Sequence, residues 1–210
     1  MGKISGFEEI AEVPQKVARM YGAVLEMLEE GMDSVNIRVS AITERAGIGK
    51  GTAYEYFDSK EEIVACSLVY QAQWMFGWLR DALEEKESFR QQLFFLLDEI
   101  EKDNGKKNCF LRFVHMVTDN SEFSRLVREK LTADAFSAHL PANIFSKILE
   151  RGVERGELRG DLPMNYMVYC LFSHLLTYLL AVSAEDFMHM DTDMIRAYSY
   201  QGILRELGNI

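Results

Sequence analysis

The sequence predicts an all-α protein with a small N-terminal three-helix domain, containing a helix-turn-helix, followed by a larger helical C-terminal domain. Three observations lead there. Long stretches repeat apolar residues at intervals of three and four, the signature of a buried helix face. Strand-like alternation is scarce, and only 3 prolines and 14 glycines punctuate 210 residues. Two short helical segments flank Gly47 with the spacing of a helix-turn-helix. Hydrophobic residues make up 48% of the chain, ample for a packed core.

The elements follow in order. Pro14 suits a first helical position, Val17, Tyr21, Val24 and Leu28 form an apolar stripe, and Gly31 ends the helix. A short helix from Val39 to Ala46 sets Val39, Ile42 and Ala46 on one face, and Gly47 stops it. Ile48 drops into the core of the turn. A second short helix runs from Lys50 to Phe57, with Ala53 and Phe57 inward. Ser59 and Glu62 have capping-box spacing and open a long helix through Val64, Leu68, Trp74, Trp78 and Leu83. Further helices are expected at 88–103, 108–118, 121–139, 142–155, 163–182 and 192–207. The reading gives two domains, 14–60 (motif 38–57) and 61–210, joined by a continuous helix instead of a linker.

The formal net charge is −10. Such a chain repels nucleic acid as a whole, so any nucleic-acid surface must be local. Between Arg38 and Lys60 there are four basic and three acidic residues, which implies weak non-specific affinity. The N-terminus has no apolar run of the secretory kind. Cys66, Cys109 and Cys170 are widely spaced and odd in number, as expected of reduced cytoplasmic thiols. The segment from Met164 to Val182 approaches the length of a membrane span. It carries Asn165, Ser173, His174 and Thr177, and its flanks are the acidic Asp161, Glu185 and Asp186, so a helix buried in protein is expected.

The stretch "AGIGKGTAYEYF" raises the question of a phosphate loop. A nucleotide loop needs Gly-x-x-x-x-Gly-Lys-Ser/Thr after a strand, and here the order is Gly-Lys-Gly-Thr after a helix. The second short helix instead starts on Lys50, against its own dipole, and the next helix repeats this with Lys60. Lysines and bare backbone N–H groups at helix starts suit DNA phosphates. Tyr54 and Tyr56 add hydroxyls for phosphates or base edges.

The run "AITERAGIGKGTAYEYFDSKEEIV" resembles the N-terminal domain of TetR/AcrR-type transcriptional regulators over about residues 14–70. The resemblance implies that Lys50, Gly51, Thr52, Tyr54 and Tyr56 face DNA and that Lys60 holds a phosphate. It departs from the family pattern at three places. Arg38-Val39-Ser40 stands where Thr-Val-Arg is frequent, which makes Arg38 and Ser40 candidate contacts from displaced positions. Gly49 replaces a capping serine. Glu55 replaces an arginine or other large polar residue, and it either accepts from a cytosine amino group or faces solvent.

The resemblance further implies a C-terminal ligand-binding and dimerisation domain. Candidate pocket residues are Trp74, Trp78, Phe94, Phe95, Phe110, Phe113, His115, Met116, Tyr166, Tyr169 and His174. Candidate dimer residues are Leu171, Phe172, Leu175 and Leu179 on one of the last two helices and Ile195, Tyr198, Ile203 and Leu207 on the other. The expected protein is a cytoplasmic homodimer that binds a near-palindromic operator in double-stranded DNA. It acts as a repressor released by a small, largely apolar effector. The alternatives are a DNA-binding regulator without an inducer and a membrane-associated helical protein. No acid–base pair, nucleophile motif or metal-ligand spacing points to an enzyme, a cofactor or a metal. Met188-His189-Met190 stands alone and is not taken as a metal site.

Overall fold

The structure, a computed structural model, describes residues 3–209 apart from 5, 7, 9, 105–108 and 185–190. The Met188-His189-Met190 run and the acidic flank Glu185-Asp186 lie outside the described residues, as does the Cys109 side chain. Among the described residues the chain is all-helical, with one isolated bridge between Leu158 and Gly208 and no strand. The helices are α1 (Gln15–Glu29), α2 (Val39–Arg45), α3 (Lys50–Tyr56), α4 (Lys60–Glu84), α5 (Phe89–Asn104), α6 (Cys109–Thr118), α7 (Glu122–Leu131), α8 (Pro141–Glu154), α9 (Met164–Ser183) and α10 (Thr192–Leu207).

The chain divides into two compact units. One comprises Met1–Gly77 with Met116–His139, the other Trp78–His115 with Leu140–Ile210. The expected domain limit at residue 60 thus falls inside the first unit, where α4 supplies core residues as far as Phe76.

In the first unit, α1 buries Val17, Met20, Tyr21, Val24 and Met27 against Ile42 of α2, Ala53 of α3 and Ile63 of α4. The Tyr21 ring tilts against Phe57 and Tyr70, at 6.1 and 5.1 Å between centroids. Ile48 packs on the same core from the turn, as expected. Gly47 has φ +63°, the left-handed conformation that lets the chain reverse between α2 and α3. Gly47→Ala should therefore cost about 1–2 kcal/mol in urea unfolding. An unchanged midpoint would mean that the turn does not need this backbone.

The capping box at α4 forms with one change of partner. The Glu62 N–H donates to Ser59 Oγ at 3.1 Å, while the Glu62 carboxylate accepts from the Asp58 N–H at 2.7 Å. The expected helix over 121–139 is instead α7 followed by a 3-10 segment, Asp134–His139. The Thr132 hydroxyl donates back to the Arg128 carbonyl at 2.9 Å, and the helix ends there.

Cys66 is fully buried in the first unit, and burial pushes its thiol up to about 11. In a variant whose other two cysteines are serine, it should stay unmodified by an aromatic disulfide reagent at pH 8 until the protein unfolds. Prompt reaction in the native state would contradict this.

In the second unit, α9 packs against α5, α8 and α10. Three neighbours explain its apolar composition. It is long and apolar enough to cross a membrane by length and composition alone, yet Met167, Leu171, Leu175, Tyr178 and Leu179 are buried in protein. Arg196 of α10 ties the unit together: its guanidinium donates to Glu101 at 2.7 Å and pairs with Asp98, and Tyr178 of α9 also donates to Glu101. Gly152 of α8 lies under Leu158, where an added Cβ would come within 2.6 Å of Leu158 Cδ1.

Candidate nucleic-acid interface

Three elements place polar side chains around one opening in the first unit. Arg38 and Ser40 flank the start of α2, Lys50 and Tyr54 stand one turn apart on α3, and Lys60 opens α4. Together with Val35, Asn36, Ile37 and Val39 they line an open groove of about 590 Å³. Its charged groups are all basic.

The seven residues of α3 bury one face and expose another. Ala53, Tyr56 and Phe57 are at most 1% exposed, which holds the helix on the core. Lys50, Gly51, Tyr54 and Glu55 are exposed on the other side, with Thr52 half-buried. This corrects the expectation for Tyr56. It sits at i+3 from Ala53, on the inward face, and its ring belongs to the core. Tyr54 is 43% exposed, and Glu55 faces solvent.

The basic residues divide by task. The Arg45 guanidinium forms a two-pronged bridge to Glu30, both N–O distances being 2.9 Å, and so clamps the end of α2 to the end of α1. The Lys60 ammonium donates to the Val35 carbonyl at 2.9 Å and lies 3.4 Å from Glu61. It lines the groove while tying α4 to the segment before α2. Among the described residues no carboxylate pairs with Arg38 or Lys50. Lys3 joins this surface without any motif to mark it. Its ammonium donates to the Tyr54 carbonyl at 3.0 Å and bridges Asp58 at 2.6 Å, and the Ile4 N–H donates to the Tyr56 carbonyl at 3.0 Å. The residues before Pro14 offered no periodic signal that would have placed them on α3.

The C-terminal candidates distribute differently from their expectation. Leu171, Leu175, Leu179, Ile195, Ile203 and Leu207, expected at a dimer face, are at most 6% exposed and form the core of a single chain. Phe172 and Tyr198, from the same group, are 42% and 59% exposed. Tyr166 and Tyr169, expected in a pocket, lie exposed on α9. Trp74, Trp78 and Phe94 are also surface residues, with Phe94 stacked on Tyr200 at 4.4 Å. His115 is exposed, and Phe110, Phe113 and Met116 are half-buried. His174 sits between α9 and α10, 3.8 Å from Glu206.

A short helix, a tight turn and a second short helix, with basic side chains around one groove and followed by a helical second unit, form the geometry of the helix-turn-helix class of DNA-binding domains. Residues 22–65 match the family model for bacterial regulatory proteins of the tetR family. Comparison with curated proteins gives no match. Among solved structures, the chain is similar to the transcriptional regulator FadR of Bacillus subtilis in complex with stearoyl-CoA. That pair shares 19% identity over 92% of this chain and 98% of the other, with a TM-score of 0.63. A transcriptional regulator of Saccharomonospora viridis in complex with choline shares 15% identity over 92% and 98%, at 0.65. Reduced NemR of E. coli shares 16% over 92% and 98%, also at 0.65. The matched segment is a TetR-family helix-turn-helix domain, and the chain carries the TetR-regulator fold.

Proposed function

We propose that this transcriptional regulator is a cytoplasmic homodimeric repressor that leaves its operator when a small, largely apolar molecule binds. The observation that carries the reading is the groove shared by Arg38, Ser40, Lys50, Tyr54 and Lys60. Lys50 and Tyr54 reach the major groove from α3, Gly51 and Thr52 let the backbone approach, and Arg38 and Ser40 hold the phosphates beside it. One such motif reads few base pairs. A two-fold dimer on half-sites about 34–36 Å apart, or a multiple of this, supplies the rest.

Exposed apolar side chains support the dimer. Tyr166, Tyr169, Phe172 and Leu180 on α9 and Met194 and Tyr198 on α10 are each 42–70% exposed, a large apolar display for a lone chain. The effector reading is supported by relatives of the same fold that hold stearoyl-CoA and choline. The effector prefers the conformation whose two recognition helices no longer fit the half-site spacing.

The test is a gel shift on DNA from upstream of the chain's own gene, with random-sequence competitor at low salt. A specific shift that disappears on adding the effector is the expected result. Absence of any specific shift overturns the DNA reading, and a shift that survives a broad panel of apolar compounds overturns the induction reading.

A further inference from the structure

Three metal-ligating groups absent from the DNA reading meet between α9 and α10. Cys170 and His174 are four residues apart on α9, so they share one face. Glu206 reaches them from α10. Its carboxylate accepts from the Cys170 thiol at 2.9 Å and lies 3.8 Å from His174 Nε2, and the Tyr166 hydroxyl stands 3.5 Å from the same oxygen as the thiol. One ligand atom from each of Cys170, His174 and Glu206 can be chosen so that all three lie within 4.8 Å of one another. The sequence showed no such cluster because the third member lies 32 residues beyond His174.

Gly202 gives the arrangement its shape. It precedes Glu206 by one helical turn, and a Cβ there would stand 2.6 Å from His174 Cε1. The imidazole therefore lies against bare α10 backbone, beside the carboxylate. Any side chain at 202 would push it away.

We propose that Cys170, His174 and Glu206 form a binding site for a zinc-class divalent cation between α9 and α10. A thiolate, an imidazole and a carboxylate suit zinc and its neighbours in the first transition row, and they do not suit magnesium or calcium. Zinc bonds of about 2.0–2.3 Å put tetrahedral ligands roughly 3.3–3.8 Å apart. The cluster reaches this by closing about 1 Å, which rotation of the His174 and Glu206 side chains supplies, as these are 29% and 47% exposed. The fourth position is open to water. Binding releases the thiol proton to solvent and clamps α9 to α10. The site goes beyond the DNA reading and does not depend on it.

The experiment is titration of the full-length reduced protein with Co²⁺, read by the cobalt–thiolate absorption band, followed by displacement with Zn²⁺. One Co²⁺ per chain, displaced by Zn²⁺, is expected, and a hundredfold excess of Zn²⁺ over Kd should raise Tm by about 5–10 °C. The band should vanish in Cys170→Ser and persist in Cys66→Ser and Cys109→Ser. Glu206→Gln, at a half-exposed position, should keep the fold and weaken binding at least tenfold. No thiolate band in the wild type overturns the proposal, as does a band that survives Cys170→Ser. If Cys170→Ser fails to fold, Glu206→Gln decides, and unchanged affinity overturns the proposal.

Discussion

Replacing Lys50 and Tyr54 together with alanine should reduce operator affinity by at least 10²-fold while leaving Tm unchanged. Both side chains line the groove, and neither belongs to the core. A hydrogen bond to a charged group is worth about 1.5–3 kcal/mol, and about 1.4 kcal/mol is tenfold in affinity. On the proposed two-fold dimer each contact occurs twice, so the loss doubles in free energy. Removing one ammonium per subunit should also flatten the salt dependence by about two counterions. Tyr56→Phe is the informative companion. Its ring is buried beneath α3, so operator affinity should not change. A large loss of affinity in Tyr56→Phe, or none in the double variant, would mean that α3 presents another face to DNA.

The second large effect is expected on α9 and α10. On the proposed dimer, Tyr169→Glu with Tyr198→Glu should convert an assembly of about 48 kDa, twice the 24.2 kDa chain, to a folded monomer. The two positions are 70% and 59% exposed in the single chain, so carboxylates there do not disturb its core. At a two-fold face the same carboxylates lose water and meet like charges. Operator affinity should fall with dimerisation, because the second half-site is no longer held at high effective concentration. Leu171→Glu should behave otherwise. Leu171 is fully buried, and a charge there should unfold the chain, whatever its oligomeric state. Light scattering coupled to size exclusion distinguishes the outcomes. A dimer that survives the double change places the interface elsewhere.

The helix-turn-helix was legible because its determinants are local. Gly47 must adopt positive φ, Ser59 caps a helix three residues on, and Ala53 and Phe57 repeat at one helical turn, all within twenty-odd residues. Physical rules acting over a turn or two of helix decide such features, and they can be read in order along the chain. Tyr56 marks the edge of that legibility. Tyr54 and Tyr56 lie about 200° apart, one on each flank of the face that carries Ala53 and Phe57, so the pattern leaves open which tyrosine turns inward, and only packing into the shared core settles it.

For the C-terminal region the sequence determined the helices and little of their faces. A segment apolar around most of its circumference carries no period that separates core from surface. Leu171 and Phe172 look equivalent in such a run, yet one is buried and the other is 42% exposed because α5, α8 and α10 close on one side only. Lys60 reaching the Val35 carbonyl, Arg196 joining Asp98 and Glu101, and Cys170 and His174 meeting Glu206 are likewise products of tertiary structure. Thus the sequence alone determined the helices of the described residues and the helix-turn-helix among the first of them, since those features depend on neighbours a few residues away. Which side chains became core, surface or ligand in the rest was decided by the fold, since burial and chemistry there depend on partners tens of residues distant.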